Sequence, residues 1–243
     1  FLKIIFRFKF FLNVYGLEVW SNPSKASLRG LYYADTVISD CHASKKYIVS
    51  HGLIGNNENM HVIWDCVDTD LFNPKNDFTN IRKKYNLPDR SKYFFISTFG
   101  RISRDAAYKG YERLLTVFDA LSKKNSSMKL IFIGKGDMIP YLKNICTEKN
   151  ISDKVYFTGA VTDTELPYLL SYGHVFSLVT ESGKGKGEGL PLTPIEAMAC
   201  GLPVIVGNED GSEEVVFNGQ NGIVINPGDF EQHQKFIEML YND

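Results

Sequence analysis

The chain has 243 residues, 44% of them hydrophobic and 13% aromatic, the composition of an ordered α/β protein with enough apolar surface for one large or two small cores. A formal net charge of -1 gives no field that would hold a nucleic acid by counterion release, so nucleic-acid partners are set aside. Cys41, Cys66, Cys146 and Cys200 stand far apart with no CxxC or Cys/His ligand spacing, which argues against a zinc site or a disulfide framework and suits a reducing, cytoplasmic setting.

The chain opens at Phe1 rather than Met, without a signal-peptide pattern or an apolar run of about 18 residues, and is expected to be a piece whose upstream part is missing. In "FLKIIFRFKFFLNVYG" every even position from Leu2 to Leu12 is apolar, while Lys3, Arg7 and Lys9 fall on odd positions, a period of two that predicts a strand. A basic-aromatic surface for peripheral contact with an anionic, cytoplasmic membrane face is the lesser reading, because on a helix Lys9 leaves the side shared by Lys3 and Arg7.

A helix through "PSKASLRGLYYA", a strand "DTVISDC", a helix "ASKKYIVSHG" and a strand "MHVIWDC" follow. Residues 67–92, polar and carrying Pro74 and Pro88 around a short basic helix, read as an inter-domain connection. Alternation then restarts with strand "YFFISTFG", helix 110–123, strand "MKLIFIG", helix 138–149, strand "KVYFTG", helix 164–172 and strand "HVFSLV". A helix near 193–200, strand "PVIV", a short helix near 212–217, strand "GIVI" and a helix from about 229 complete it. Strands separated by 10 to 15 residues of helical pattern imply a parallel, doubly wound sheet, hence a Rossmann-like unit.

Ligands of open parallel sheets bind beyond the carboxyl ends of the strands, which directs attention to "GRISRDAAYKG", "GKGD", "TGAVTD" and the glycine-rich "TESGKGKGEGLPLTP". The last runs into "TPIEAMACG", where Thr193 suits an N-cap, Pro194 the first turn and Glu196 the reciprocal position of a capping box. On spacing alone Glu196 is a local cap. The same helix start would suit an anion, met by the Leu192 and Thr193 amides and the Thr193 hydroxyl, with Lys184 and Lys186 adding charge. Arg101 and Lys109 could close on that anion as a planar fork and a point charge, although each alone reads as a surface cation.

At "GRI…KG", "IGKGD", "VYFTGAV" and above all "EGLPLTPIEAMACGLPVI" the chain resembles the retaining nucleotide-sugar glycosyltransferases of the GT-B fold, family four, or glycosyl transferases group 1. The E-x7-E spacing from Glu188 to Glu196 is the specific part of that signal. The resemblance implies a nearly complete C-terminal Rossmann-like donor domain over 93–243, a hinge over 76–92, and over 1–75 the last elements of an N-terminal, acceptor-side Rossmann-like domain.

It also implies transfer of a hexose from a nucleoside diphosphate sugar to a hydroxyl of a glycan, lipid-linked or protein acceptor, with retention and without a cofactor or metal. Arg101 and Lys109 would hold the diphosphate, Glu188 would contact the sugar beside its anomeric carbon, and Glu196 the ribose hydroxyls. Gly100, Gly134, Gly189, Leu190, Leu192 and Thr193 would line the donor, with Tyr15, Gly16 and Glu18 on the acceptor side. Where the family often has His before GxE, this chain has Tyr15, whose phenol can hydrogen-bond a sugar hydroxyl but is no near-neutral base. Glu18 reads equally as a site residue or as the cap of the next helix. Two other readings stay open, a catalytically silent nucleotide-sugar-binding subunit and a sugar-nucleotide epimerase, whereas the absence of GxGxxG after an early strand disfavours an NAD enzyme.

Overall fold

The computed structural model describes residues 8–16, 18–20, 23–54, 57–183 and 187–243. The chain builds two parallel sheets. The first contains β1 (Phe11–Val14), β2 (Thr36–Ser39) and β3 (Met60–Val62) in that order, joined through helices α1 (Lys25–Tyr33) and α2 (His42–Ser50). Val14, Val19, Leu31, Val37, Ile48 and Met60 form its core. α1 starts where the Ser24 side chain accepts the Ser27 amide.

Among the described residues, strand pairing begins at Phe11, where Leu12 and Val14 turn inward as their even positions require, while Phe8 is exposed and Phe10 is tied by its backbone to Asp35. Leu2, Ile4, Phe6, Lys3 and Arg7, on which the membrane reading also leans, lie outside the described residues.

The second sheet has six parallel strands, β4 (Phe94–Phe99), β5 (Met128–Ile133), β6 (Val155–Phe157), β7 (Val175–Leu178), β8 (Val204–Gly207) and β9 (Gly222–Ile225), in the order β6-β5-β4-β7-β8-β9. Helices α4 (Tyr111–Lys124), α5 (Ile139–Glu148), α6 (Leu166–Tyr172), α7 (Leu192–Ala199) and α8 (Phe230–Asn242) supply the crossovers and the closing helix. The four central strands are largely buried on both faces and mostly apolar, with Ser97, Thr98, Lys129 and Ser177 as buried polar residues among them, and alternate residues serve opposite cores: Ile96, Leu130 and Val175 on one side, Phe95, Ile131 and Phe176 on the other. This is the α/β architecture expected.

Residues 67–92 behave differently from a polar tether. Phe72, Ile81 and Leu87 are buried in the second core, and α3 (Thr79–Tyr85) is held by Lys84 and Tyr85, which both donate to Glu165. The Arg90 guanidinium adds bonds to the carbonyls of Tyr172 and Gly173. The segment is docked on the six-stranded unit because its apolar residues, spaced among the polar ones, reach one common surface.

Candidate functional site

From β4 the chain winds outward through β5 and β6, then returns to place β7 on the other side of β4. The loops after β4 and β7 therefore part in opposite directions and leave a crevice at the carboxyl edge, the usual ligand position in such sheets. Those two loops carry most of the residues singled out from the sequence.

The loop after β4 crosses a 3₁₀ segment, Arg104–Lys109, and enters α4 at Gly110. The loop after β7 reaches Glu188 and then α7. They are stitched together by Arg113, which donates to Val179 O and Tyr108 O and pairs with Glu181, and by the Glu181 amide, which donates to Tyr108 O at 2.9 Å. Held this way, Lys109 Nζ lies 2.6 Å from Glu188 Oε1, and the Tyr108 hydroxyl donates to the same oxygen at 2.8 Å. Burial, and next the Glu188 carboxylate, push the Tyr108 phenol well above its ordinary range, so it remains a proton donor.

Arg101 does not share this partner. Its guanidinium, 57% exposed, pairs with Asp105 one turn on at 3.2 Å, so Arg101 and Lys109 are not closed on a common point. Gly100 and Gly134 meet at the ends of β4 and β5, where a Cβ on Gly134 would stand 2.1 Å from the Gly100 carbonyl oxygen. Their spacing thus has a packing cause. Lys184 and Lys186 lie outside the described residues.

The capping box is not formed. α7 begins two residues earlier than the capping-box pattern suggests, with extended Pro191 at its N-cap and Leu192 already helical, so Thr193 is the second helical residue and Glu196 the fifth, out of reach of the cap. Of the four amides that a helix start leaves without an intrahelical partner, Pro191 and Pro194 have none to offer, which leaves those of Leu192 and Thr193. Thr193 Oγ1 and Glu196 Oε2 are buried without a hydrogen-bond partner among the described residues. Burial, with Asp163 adding repulsion, raises the Glu196 carboxyl to about 7.

On the side of the smaller sheet, Tyr15 is 53% exposed and its amide donates to Glu18 Oε1 at 2.5 Å. Glu18 therefore bonds the Tyr15 amide rather than capping the next helix, whose cap is Ser24. Gly16 backs onto Gly189, and a Cβ added there would come within 2.9 Å of the Gly189 nitrogen and 2.5 Å of Trp20 Nε1.

Several contacts were not foreseen. Asp40, at the carboxyl end of β2, accepts from the Leu190 amide at 2.7 Å. Glu214 accepts from the His42 and Ala43 amides at the start of α2 and from Trp64 Nε1. Tyr108 could have been noticed as the neighbour of Lys109, and Asp40 by applying the strand-end rule to the first sheet. Nothing in the sequence signals Glu214. Among the described residues no three His, Cys, Asp or Glu side chains gather as a metal site, and no helix is long and apolar enough to cross a membrane.

A GDP-mannose-dependent alpha-(1-6)-phosphatidylinositol monomannoside mannosyltransferase of Mycobacterium tuberculosis is 32% identical over 163 residues, 65% of this chain and 40% of that protein. N-acetyl-alpha-D-glucosaminyl L-malate synthase of Bacillus anthracis is 25% identical over 230 residues, 92% of this chain and 56% of that protein. The chain thus spans about half the length of these relatives. In fold it is similar to Anabaena HepE, crystallised with UDP and glucose, with a TM-score of 0.81 at 22% identity over 99% of this chain and 64% of that one. The profile of the glycosyl transferases group 1 matches residues 77–243, more than half of the chain, which therefore belongs to that family, with the GT-B fold.

Proposed function

We propose that the protein transfers a hexose from a nucleoside diphosphate sugar to an acceptor hydroxyl with retention at the anomeric carbon. The observation that carries this reading is the convergence of Lys109 and Tyr108 on one oxygen of Glu188, four residues before α7 starts. Such a cluster sets a cation, a carboxylate and a helix N-terminus within one crevice, as departure of a diphosphate from a sugar demands.

In this reading Lys109, Arg101 and the Leu192 and Thr193 amides take the diphosphate, with Gly100 and Gly134 at the strand ends beside it. Lys109 exchanges Glu188 for phosphate as the donor enters, and Tyr108 keeps Glu188 in place beside the anomeric carbon. Gly189 and Leu190 line the sugar. Glu196 accepts from the ribose hydroxyls; its buried oxygen without a partner supports that role. Departing negative charge is then stabilised by groups already oriented, without reorganisation during the step. Tyr15 and Gly16 face the acceptor, a glycan, lipid-linked or protein hydroxyl. Residues 93–243 form the donor domain, 76–92 the docked hinge, and 1–75 part of the acceptor side.

The test is calorimetric titration of the complete protein with UDP, GDP and ADP, with NAD as control, followed by NMR of the product anomer. The mannosyltransferase relative is named for GDP-mannose and the Anabaena neighbour holds UDP, so both bases are included. Saturable binding of one diphosphate, lost in Lys109→Ala, and an anomer matching the donor are expected. No binding by a folded sample, or an inverted product, overturns the reading.

A further inference from the structure

We propose that Asp40 is a positioning residue of the transfer site, reaching from the three-stranded sheet to fix the peptide that joins Glu188 to the start of α7. The proposal rests on the glycosyl-transfer reading above for its kinetic consequence and on geometry alone for its structural one.

Asp40 stands in the bend between β2 and α2, and both sides of that bend are held. Its own amide donates to Val14 O, the Ser39 hydroxyl donates to Cys41 O, and Cys41 caps α2 through Sγ. A carboxylate on so firm a base is aimed rather than merely placed. Oδ2 meets the Leu190 amide at 2.7 Å.

That amide belongs to the same peptide plane as the Gly189 carbonyl, which accepts from the Gly211 amide at 2.7 Å. One plane is therefore pinned at both edges, by Asp40 from one sheet and Gly211 from the other. The residue before the plane is glycine, the residue most tolerant of a flipped peptide, so without the pins the orientation would be poorly determined. Glycine is nonetheless required, since a Cβ at 189 would lie 2.0 Å from Asp40 Oδ2 and 2.4 Å from Tyr15 O. Glu188 is joined to this plane through Gly189, one peptide before it, and Leu192 is two residues beyond Leu190.

Asp40 is a poor device for stability alone. It is 4% exposed, and its Oδ1 is buried with no hydrogen-bond partner among the described residues. Burying a carboxylate with one oxygen unpaired costs folding free energy, which an apolar residue at the same place would avoid. The same interface is already held by Glu214, whose carboxylate takes three donors from the smaller unit without touching residues 188–192. Asp40 adds orientation to that grip.

Three variants of the complete protein test this, Asp40→Ala, Asp40→Asn and Glu214→Ala, each measured by hydrogen exchange of the peptide holding Leu190, by nucleoside diphosphate titration and by transfer kinetics. In Asp40→Ala, Leu190 exchange should quicken at least about tenfold and kcat fall at least about tenfold, with diphosphate affinity within about threefold of the original. Asp40→Asn keeps an acceptor and should restore both. Glu214→Ala should lower thermal stability while holding kcat within about threefold. Unchanged Leu190 exchange in Asp40→Ala overturns the proposal, as does an equal loss of kcat in Glu214→Ala, which would mean general loosening of the interface. A wild-type protein that shows the expected exchange pattern but transfers no sugar overturns the glycosyl-transfer reading instead.

Discussion

Lys109 and Glu188 come from loops that follow two adjacent parallel strands, and they meet at 2.6 Å with side chains only 11% and 15% exposed. Neither loop alone makes this pair. It results from the reversal of winding between β4 and β7, which sets the two loops on either side of one crevice.

A partly buried pair responds asymmetrically when one member is removed, because the other charge is left uncompensated. Glu188→Ala should therefore free Lys109 for phosphate: nucleoside diphosphate binding holds or tightens, by up to about tenfold, while turnover falls at least about 100-fold. Lys109→Ala should weaken diphosphate binding at least about tenfold. Titration of both variants against wild type gives the two signs; loss of binding in each would reduce Glu188 and Lys109 to a structural pair.

Tyr108→Phe keeps the ring and removes the hydroxyl that donates to Glu188 at 2.8 Å. Turnover should drop about tenfold with little change in donor KM, since the bond orients the carboxylate rather than the diphosphate. The phenol's ionisation is pushed upward by burial and by Glu188, so wild type loses no donor within the working range. The ratio of variant to wild-type kcat should accordingly stay constant from about pH 6 to 9. A ratio that approaches one at the alkaline end would show that Tyr108 ionises in that range.

Gly189→Ala tests how closely the two sheets approach. The added Cβ meets a carboxylate oxygen at 2.0 Å and a backbone carbonyl at 2.4 Å, and the carbonyl cannot swing aside as a flexible side chain does. Overpacking of this kind costs about 1–3 kcal/mol, read as a lower denaturant midpoint with an unchanged m-value. Asp40→Ala combined with Gly189→Ala should recover only part of the loss, because Tyr15 O remains. An unchanged midpoint in the single variant would mean that the interface is open in solution.

These contacts mark the limit of what could be read beforehand. Periodicity located the strands of the larger sheet, because chains buried on both faces are written as short, mostly apolar runs between helical patterns, as in "MKLIFI" and "VFSL". Spacing and resemblance single out Glu188, Lys109 and Glu196 as candidates, yet they do not report the contacts these residues make. Lys109 was matched with Arg101 because both carry charge after one strand, whereas its observed partner lies 79 positions away in Glu188. Thr193 and Glu196 imitate a capping box, but proline at 191 has the extended backbone of an N-cap and starts the helix sooner. Asp40 and Glu214 act across more than 100 residues of sequence, where no local pattern reports proximity. The docking of residues 67–92 was missed for a related reason: Phe72, Ile81 and Leu87 are too far apart to show a period.

Glu196 offers the sharpest pH test, and its sign opposes that of His174 and His233. Burial holds His174 and His233 down to about 4, and raises Glu196 to about 7 and Asp210 to about 6. For each histidine the unfolded chain binds the proton more readily, so stability rises with pH between about 4 and 6.5. For each acid the folded chain binds it more readily, so stability falls with pH, for Glu196 between its ordinary value of 4.5 and about 7. The two trends offset, which hides Glu196 in the wild-type profile. A difference measurement exposes it: the Tm of Glu196→Gln minus that of wild type should climb as pH rises from 4.5 to 7, by at least about 2 °C, and then level off. The same variant should abolish a proton release that accompanies nucleotide-sugar binding near pH 6, because accepting ribose hydroxyls favours the ionised carboxylate. Measuring binding enthalpy in two buffers of different ionisation heat counts those protons. A pH-independent Tm difference would return Glu196 to an ordinary surface acid, and proton release that persists in Glu196→Gln would assign the release to another group.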